Sequence, residues 1–206
     1  MKHSLTTLVM ILFVSLLAVS PSWSEGTSMD DLVVRDGLSY KKFTDVPFTG
    51  EIDEGREQGG FKNGNKEGPW VRYWDNGQLW IKGDYKNGKQ EGPWVNYDDN
   101  GQLRWKGDYK NGEQEGPWVS YWDNGQLQAK GSFKNGKQEG PWVSYLYNGQ
   151  CLEQGDYKNG KKEGTWLELL AEGNFKNYKQ ECPGVSPFIG HLMSKFDYKN
   201  GVKISD

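Results

Sequence analysis

Histidine is almost missing. Of two in 206 residues, His3 falls in an N-terminal leader and His191 stands alone, which excludes multi-histidine metal centres and the usual Ser/His/Asp arrangement. A lone His191 reads as a surface or cap residue. Cysteine is equally scarce, with Cys151 and Cys182 only. No charge sign dominates: 25 basic residues face 28 acidic ones, interleaved along the chain, so the basic footprint of a nucleic-acid binder is absent. Apolar residues make up only 34% of the chain, yet aromatics are 14% and there are 28 glycines. An aliphatic core is thereby excluded, and burial must come from Trp, Tyr and Phe around glycine-rich turns. Disorder is rejected for residues 59–170, because disordered segments are poor in aromatics.

The longest apolar run, Leu8 to Val19, is too short for the roughly 20 residues of a membrane-spanning helix. Lys2 and His3 precede it, and Ser20, Pro21, Ser22, Trp23 and Ser24 follow. That order is the order of a secretory signal peptide. Cleavage is expected between Ser24 and Glu25, and no Cys follows the run to take a lipid; a short uncleaved anchor is the alternative. The chain is therefore expected to be exported, either periplasmic or secreted.

A repeat of 24 residues organises what remains. Units begin at Gly59, Gly83, Gly107, Gly131 and Gly155; the second reads GDYKNGKQEGPWVNYDDNGQLRWK and the third GDYKNGEQEGPWVSYWDNGQLQAK. Each contains two reversal signals. One is Asp75, Asn76, Gly77 and its copies, since Asn and Gly accept the positive φ that tight hairpins require. The other is K-N-G-x-x-E-G, such as Lys86 to Gly92, expected as a wider loop. Between them lie β-forming runs of the type W-V-x-Y. The predicted fold is all-β: an elongated single-layer antiparallel β-meander of tandem hairpins. Five units at two strands each give a body of roughly 50 Å. Residues 1–24 are assigned to the leader, 25–58 to an N-terminal cap with a divergent first repeat, 59–172 to the array, and 173–206 to degenerate repeats and a C-terminal cap. Within the last, Pro183 to Ser194 is the stretch expected to cover the final strand, with a short helix as one option.

A three-residue loop at Asp75–Gly77 pairs Tyr73 with Leu79 and Val71 with Ile81. Alternation then puts Gly83 and Tyr85 on their face and Trp70 and Trp74 on the opposite one. A two-residue Asn-Gly loop would exchange these partners. Isolated hairpins are marginal in water, so units must borrow burial from neighbours, and the Trp column (Trp70, Trp94, Trp118, Trp142, Trp166) and Tyr column (Tyr73, Tyr97, Tyr121, Tyr145) are expected to form continuous ladders.

The pattern Y-K-N-G-K-x-E-G-P-W-V-x-Y-x-x-N-G-Q-L resembles the bacterial variant of the MORN repeat (membrane occupation and recognition nexus), a family of tandem β-hairpins. Residues 59–170 carry it; Asp36 to Tyr40 and Pro47 to Gly50 are similar to a divergent first unit. Beyond Gly173 the match decays, with Tyr178 and Cys182 where Gly is expected and Gly184 where Trp is expected, until Phe196 to Gly201 gives a last fragment. The resemblance implies the fold. Its members are described as scaffolds, lipid-associated modules and, in bacteria, antitoxin candidates, so no one activity and no functional residue carries over.

Chemistry finds few handles. Asp98, Asp99 and Asn100 beside Gly101 lack the spacing of a calcium loop and suit a turn. The recurring Glu67, Glu91, Glu115, Glu139 and Glu163 invite a carboxylate-pair reading, but identical residues in every unit point to a structural part. No catalytic residue, metal or cofactor is expected, and the protein is read as a non-enzyme. Cys151 and Cys182 are candidate disulfide partners in an oxidising compartment; the alternative is two thiols. Trp70, Trp74, Trp94, Trp118, Trp122 and Trp142 form the candidate binding surface, because aromatics stack on sugars or surround quaternary ammonium groups, unless neighbouring units cover them. A scaffold or protein-interaction role at the cell envelope, with an unknown protein partner, is expected first. Binding of an envelope glycan or lipid through the aromatic face comes second.

Overall fold

Asn-Gly pairs decide where this chain turns. In the computed structural model, which describes residues 26–169 and 193–204, Asn87 and Gly88 have φ of 50° and 77°. Lys86 pairs directly with Lys89 across them. Two successive positive φ values make a type I′ hairpin, whose twist suits antiparallel strands. The wider loop expected at Lys86–Gly92 is therefore a two-residue turn followed at once by strand. The other reversal is as expected: Trp74 N–H donates to Gln78 O at 2.8 Å and Gly77 N–H to Trp74 O at 2.9 Å, enclosing a three-residue loop.

These reversals generate one antiparallel sheet of fourteen strands among the described residues. A separate hairpin, β1 (Leu32–Arg35) and β2 (Leu38–Lys41), precedes it. The sheet runs through β3 (Gly50–Ile52), β4 (Glu57–Lys62), β5 (Asn65–Tyr73), β6 (Leu79–Lys86), β7 (Lys89–Tyr97), β8 (Leu103–Lys110), β9 (Glu113–Tyr121) and β10 (Leu127–Lys134). It continues with β11 (Lys137–Gln138), β12 (Gly140–Tyr145), β13 (Cys151–Lys158), β14 (Lys161–Leu169), β15 (Met193–Lys199) and β16 (Val202–Lys203). Substantial contacts join only strands that are neighbours in this order. Stability is consequently a nearest-neighbour property, as in other repeat architectures.

Two bulges interrupt the pairing in each unit, and the one-residue bulge reassigns the faces. Tyr73 does pair with Leu79, but Trp80 is an extra residue, so Arg72 meets Ile81 and Val71 meets Lys82. The expected Val71–Ile81 pair is corrected accordingly. On the other edge, Gly60 pairs with Glu67 and Gly59 with Trp70, which leaves Gly68 and Pro69 as two extra residues. A bulge accepts Gly at positive φ and Pro without an N–H. The net effect moves Tyr85 onto the face of Trp70 and leaves Pro69, Val71 and Tyr73 on the other.

On the Trp face, twelve rings form one edge-to-face ladder: Phe48, Phe61, Trp70, Tyr85, Trp94, Tyr109, Trp118, Phe133, Trp142, Tyr157, Trp166 and Tyr198. Their successive centroids are 4.9 to 6.4 Å apart. Each such contact adds roughly 0.5–1.5 kcal/mol beyond area burial. The two expected ladders are thus one, built from the Trp column and the Tyr85 column rather than the Tyr73 column. Each Trp lies over a glycine of the preceding strand: a Cβ at Gly83, Gly107, Gly131 or Gly155 would run into the ring of Trp94, Trp118, Trp142 or Trp166. The indole N–H then reaches a backbone carbonyl, as from Trp94 to Asp84 O at 3.2 Å and from Trp118 to Asp108 O at 3.1 Å.

The first and last tryptophans of the ladder are each covered by charge. Lys66 and Lys162 occupy the place held by Gln90, Gln114 and Gln138 in the units between. Lys66 Nζ sits 3.8 Å from the centroid of Trp70 and is paired with Glu57, which also accepts from Arg72 at 2.6 Å. Lys162 sits 4.2 Å from the centroid of Trp166 and is paired with Glu153 and Glu168. At the last glycine position stands Phe196, opposite Trp166. No further Trp has to lie there, and Lys203 Nζ covers its ring at 3.4 Å instead.

Burial works to raise the Glu57 carboxyl, but the hydrogen bonds and positive charges of Lys66 and Arg72 outweigh it and hold the group below its usual range. Such a group stabilises the fold above its unfolded value of about 4.3 and loses that contribution as pH falls through its lower folded value. The stability gap between the native chain and Glu57→Gln, read by urea unfolding, is expected to narrow from pH 6 towards pH 3; a constant gap contradicts the pairing. Gly107→Ala is expected to destabilise by about 1–3 kcal/mol through overpacking against Trp118. Phe196→Ala, beyond the last Trp, should lack any such clash, and an unchanged urea midpoint for Gly107→Ala would contradict the close approach.

Candidate interaction surface

The bulges divide the six candidate tryptophans into two groups. Trp70 and Trp94 are only 4% and 3% exposed and lie inside the ladder; Trp118 and Trp142 are half-buried in it. Burial also raises the hydroxyl pKa of Tyr85 and Tyr109, consistent with rings packed between indoles. Trp74 and Trp122 stand apart at the three-residue turns, where each indole N–H donates at 3.2 Å to the next unit, to Tyr97 O and Tyr145 O respectively. Neighbouring units therefore cover most of this aromatic surface.

Parts of the Trp face remain open, including a smaller cavity of about 410 Å³ beside Trp105 and Trp118 and a larger one near the start of the array. Trp74 stacks on Trp80 with centroids 4.6 Å apart, and the Arg72 guanidinium lies 5.1 Å from the Trp80 ring. With Asp30, Glu54 and Arg56 they border a cleft of about 820 Å³, and Arg56 is ion-paired to Asp75. Sequence reasoning passed over Trp80. The available signal was its departure from the repeat, since Arg104, Gln128 and Leu152 hold the same place.

The opposite face is built from two parallel rows that cross the strands. In one, Val71, Val95, Val119 and Val143 alternate with Lys82, Lys106, Lys130 and Gln154. In the other, Pro69, Pro93, Pro117 and Pro141 pair with Asp84, Asp108, Ser132 and Asp156. Between them runs a groove of about 670 Å³ from Pro93 to Gln154. The prolines, lysines and aspartates are exposed and Val71, Val95 and Val119 half-buried. At one end Val143 and Tyr145 are buried with Leu127 and Cys151.

The recurring carboxylates serve the fold. Each accepts the backbone N–H of the Asn in the following turn: Glu67 from Asn87, Glu91 from Asn111, Glu115 from Asn135 and Glu139 from Asn159, at 2.7 to 2.9 Å. Glu163 takes Asn200 in the same way at 2.8 Å, which seats the last fragment, Phe196 to Gly201, as the next unit in register. Asp98 Oδ1 accepts from the N–H groups of Asn100 and Gln102, an Asx-turn role. Among the described residues no group of three or more His, Cys, Asp or Glu could hold a metal ion. Cys182, His191, most of the stretch Pro183–Ser194 and the leader 1–24 lie outside the described residues.

The sequence model of the family described as "MORN repeat variant" matches residues 66–87, 90–111 and 114–135. No curated protein matches the chain. Among solved structures, a chain from "Crystal structure of GtfA/B complex bound to UDP and GlcNAc" is similar at 14% identity and a TM-score of 0.18 over 77% of this chain. That alignment spans 27% of the other chain and carries no argument. The three matched segments coincide with successive hairpins of the sheet, each offset by one unit from the last. Residues 66–135 therefore carry three tandem copies of the MORN repeat variant, a non-catalytic repeat module that typically serves protein or membrane interaction.

Proposed function

We propose that the protein is a non-enzymatic scaffold or interaction module of the cell envelope, reached by export, which presents its Pro–Val face to a protein partner. The observation that supports this most is the unequal use of the two faces. The aromatic face spends its rings on holding units together, while the Pro–Val face keeps an apolar groove flanked by exposed charge. Apolar strips bordered by polar residues are the usual anatomy of protein-recognition surfaces.

A second reading, recognition of an envelope glycan or lipid head group, is favoured by the cleft at Trp74 and Trp80. Stacked indoles beside Arg72 and acidic side chains suit a sugar or a cationic head group. Export and envelope location rest on the leader-like order of residues 1–24.

Capture from envelope fractions on the immobilised protein, set beside binding to isolated cell wall and to liposomes, separates the two readings. A protein retained through the Pro–Val face supports the first, and it should be lost on Val95→Glu with Val119→Glu. Retention on wall or lipid with no protein partner overturns it, and Trp80→Ala would then be expected to weaken that retention by at least about tenfold.

A further inference from the structure

The Pro–Val face pairs opposite charges in a manner that a second copy can complete. Lys82 and Asp84 lie two residues apart on β6, and Lys106 and Asp108 two apart on β8, all exposed. Among the described residues none of these four side chains has a hydrogen bond or an ion pair. The cation row and the anion row are therefore parallel and roughly 7 Å apart, two residues along a strand.

We propose that the partner of this face is another molecule of the same chain, docked face to face about a two-fold axis that runs along the array between the two rows. That operation leaves position along the array unchanged and exchanges the rows. Lys82 then meets Asp84 of the second copy, Lys106 meets its Asp108, and the Val strip lies on the Pro strip. Every contact occurs twice, as an isologous interface requires. Two sheets packed this way sit about 10 Å apart, a distance that the Val and Pro side chains fill.

Size is compatible with a stable dimer. The rows from β5 to β13 cross eight strands, about 34 Å, and a strip centred on the axis that extends to the flanking row on each side is about 20 Å wide, or roughly 700 Å² per copy. A standard interface buries about 800 Å² per partner. A sheet of one layer also leaves this apolar strip in water unless something covers it, and a symmetric partner is always available at the protein's own concentration.

The inference rests on reading the face as a protein-interaction surface, and its test is separable from that reading. Sedimentation equilibrium of the full chain is expected to show a dimer that weakens at 1 M salt, since its polar contacts are exposed ion pairs. Lys82→Asp with Lys106→Asp makes both rows acidic, and Asp84→Lys with Asp108→Lys makes both basic. Each double variant alone is expected to dimerise at least about tenfold more weakly than the native chain, and an equimolar mixture to recover the dimer. Carbodiimide cross-linking of isotope-labelled with unlabelled native chain, which needs no variant to fold, should join Lys106 of one copy to Asp108 of the other. A native chain that stays monomeric at high concentration and low salt overturns the proposal, as does a mixture that fails to recover the dimer or a cross-link map without these pairs. A monomer that still captures an envelope protein through Val95 and Val119 would leave the interaction role standing and remove the self-pairing.

Discussion

The structure depends on one repeated contact, an indole laid across a glycine of the preceding strand. Trp94 covers Gly83, Trp118 covers Gly107, Trp142 covers Gly131 and Trp166 covers Gly155. With no side chain beneath it, each ring drops close enough to the backbone for its N–H to reach a carbonyl, and a Tyr or Phe ring on either side meets it edge to face. The same contact explains why so polar a chain folds at all. Among the described residues the sheet has no opposing layer to bury against, so it buries its rings against those of its own neighbouring strands.

Other recurring residues are consequences of that contact. The ring can lie over the glycine only if two residues are inserted ahead of it, which is the task of Gly68–Pro69 and its copies. The inserted bulge weakens the ladder of backbone hydrogen bonds at the same point. Glu67 and its counterparts compensate by holding the following turn through the Asn N–H. At the first and last tryptophans the chemistry changes: Lys66 and Lys162 cover Trp70 and Trp166 with paired charge, and Phe196 fills a place that glycine must keep open elsewhere. The face left over is the one free to meet other molecules.

Much of this was legible in the residues. The period, the strand count per unit, the three-residue turn and the Tyr73–Leu79 pair follow from Asn-Gly signals and alternation. Face parity did not, because alternation holds only in an unbroken strand, and the single extra residue Trp80 breaks it, whereas the two-residue insertion Gly68–Pro69 leaves Lys66 and Trp70 on one face. Glycine and proline in E-G-P-W announce an irregularity, yet whether it is a loop or a bulge depends on the neighbouring strand that the ring must reach. The meeting of Trp94 with Gly83 is likewise a tertiary fact. Trp80 is different: its departure from an otherwise strict repeat marked it, and weighting departures above repeats would have found the open cleft.

Proton NMR of the excised unit 83–106, compared with the full chain, tests the dependence on neighbours most directly. The unit contains both Gly83 and Trp94, so its local sequence could in principle make the contact. The account predicts that in the full chain the Gly83 α-protons are shifted upfield by the indole above them, and that in the excised unit they return to random-coil positions. An excised unit that keeps the upfield shift, and with it a stable hairpin, would contradict the claim that no copy folds without the next.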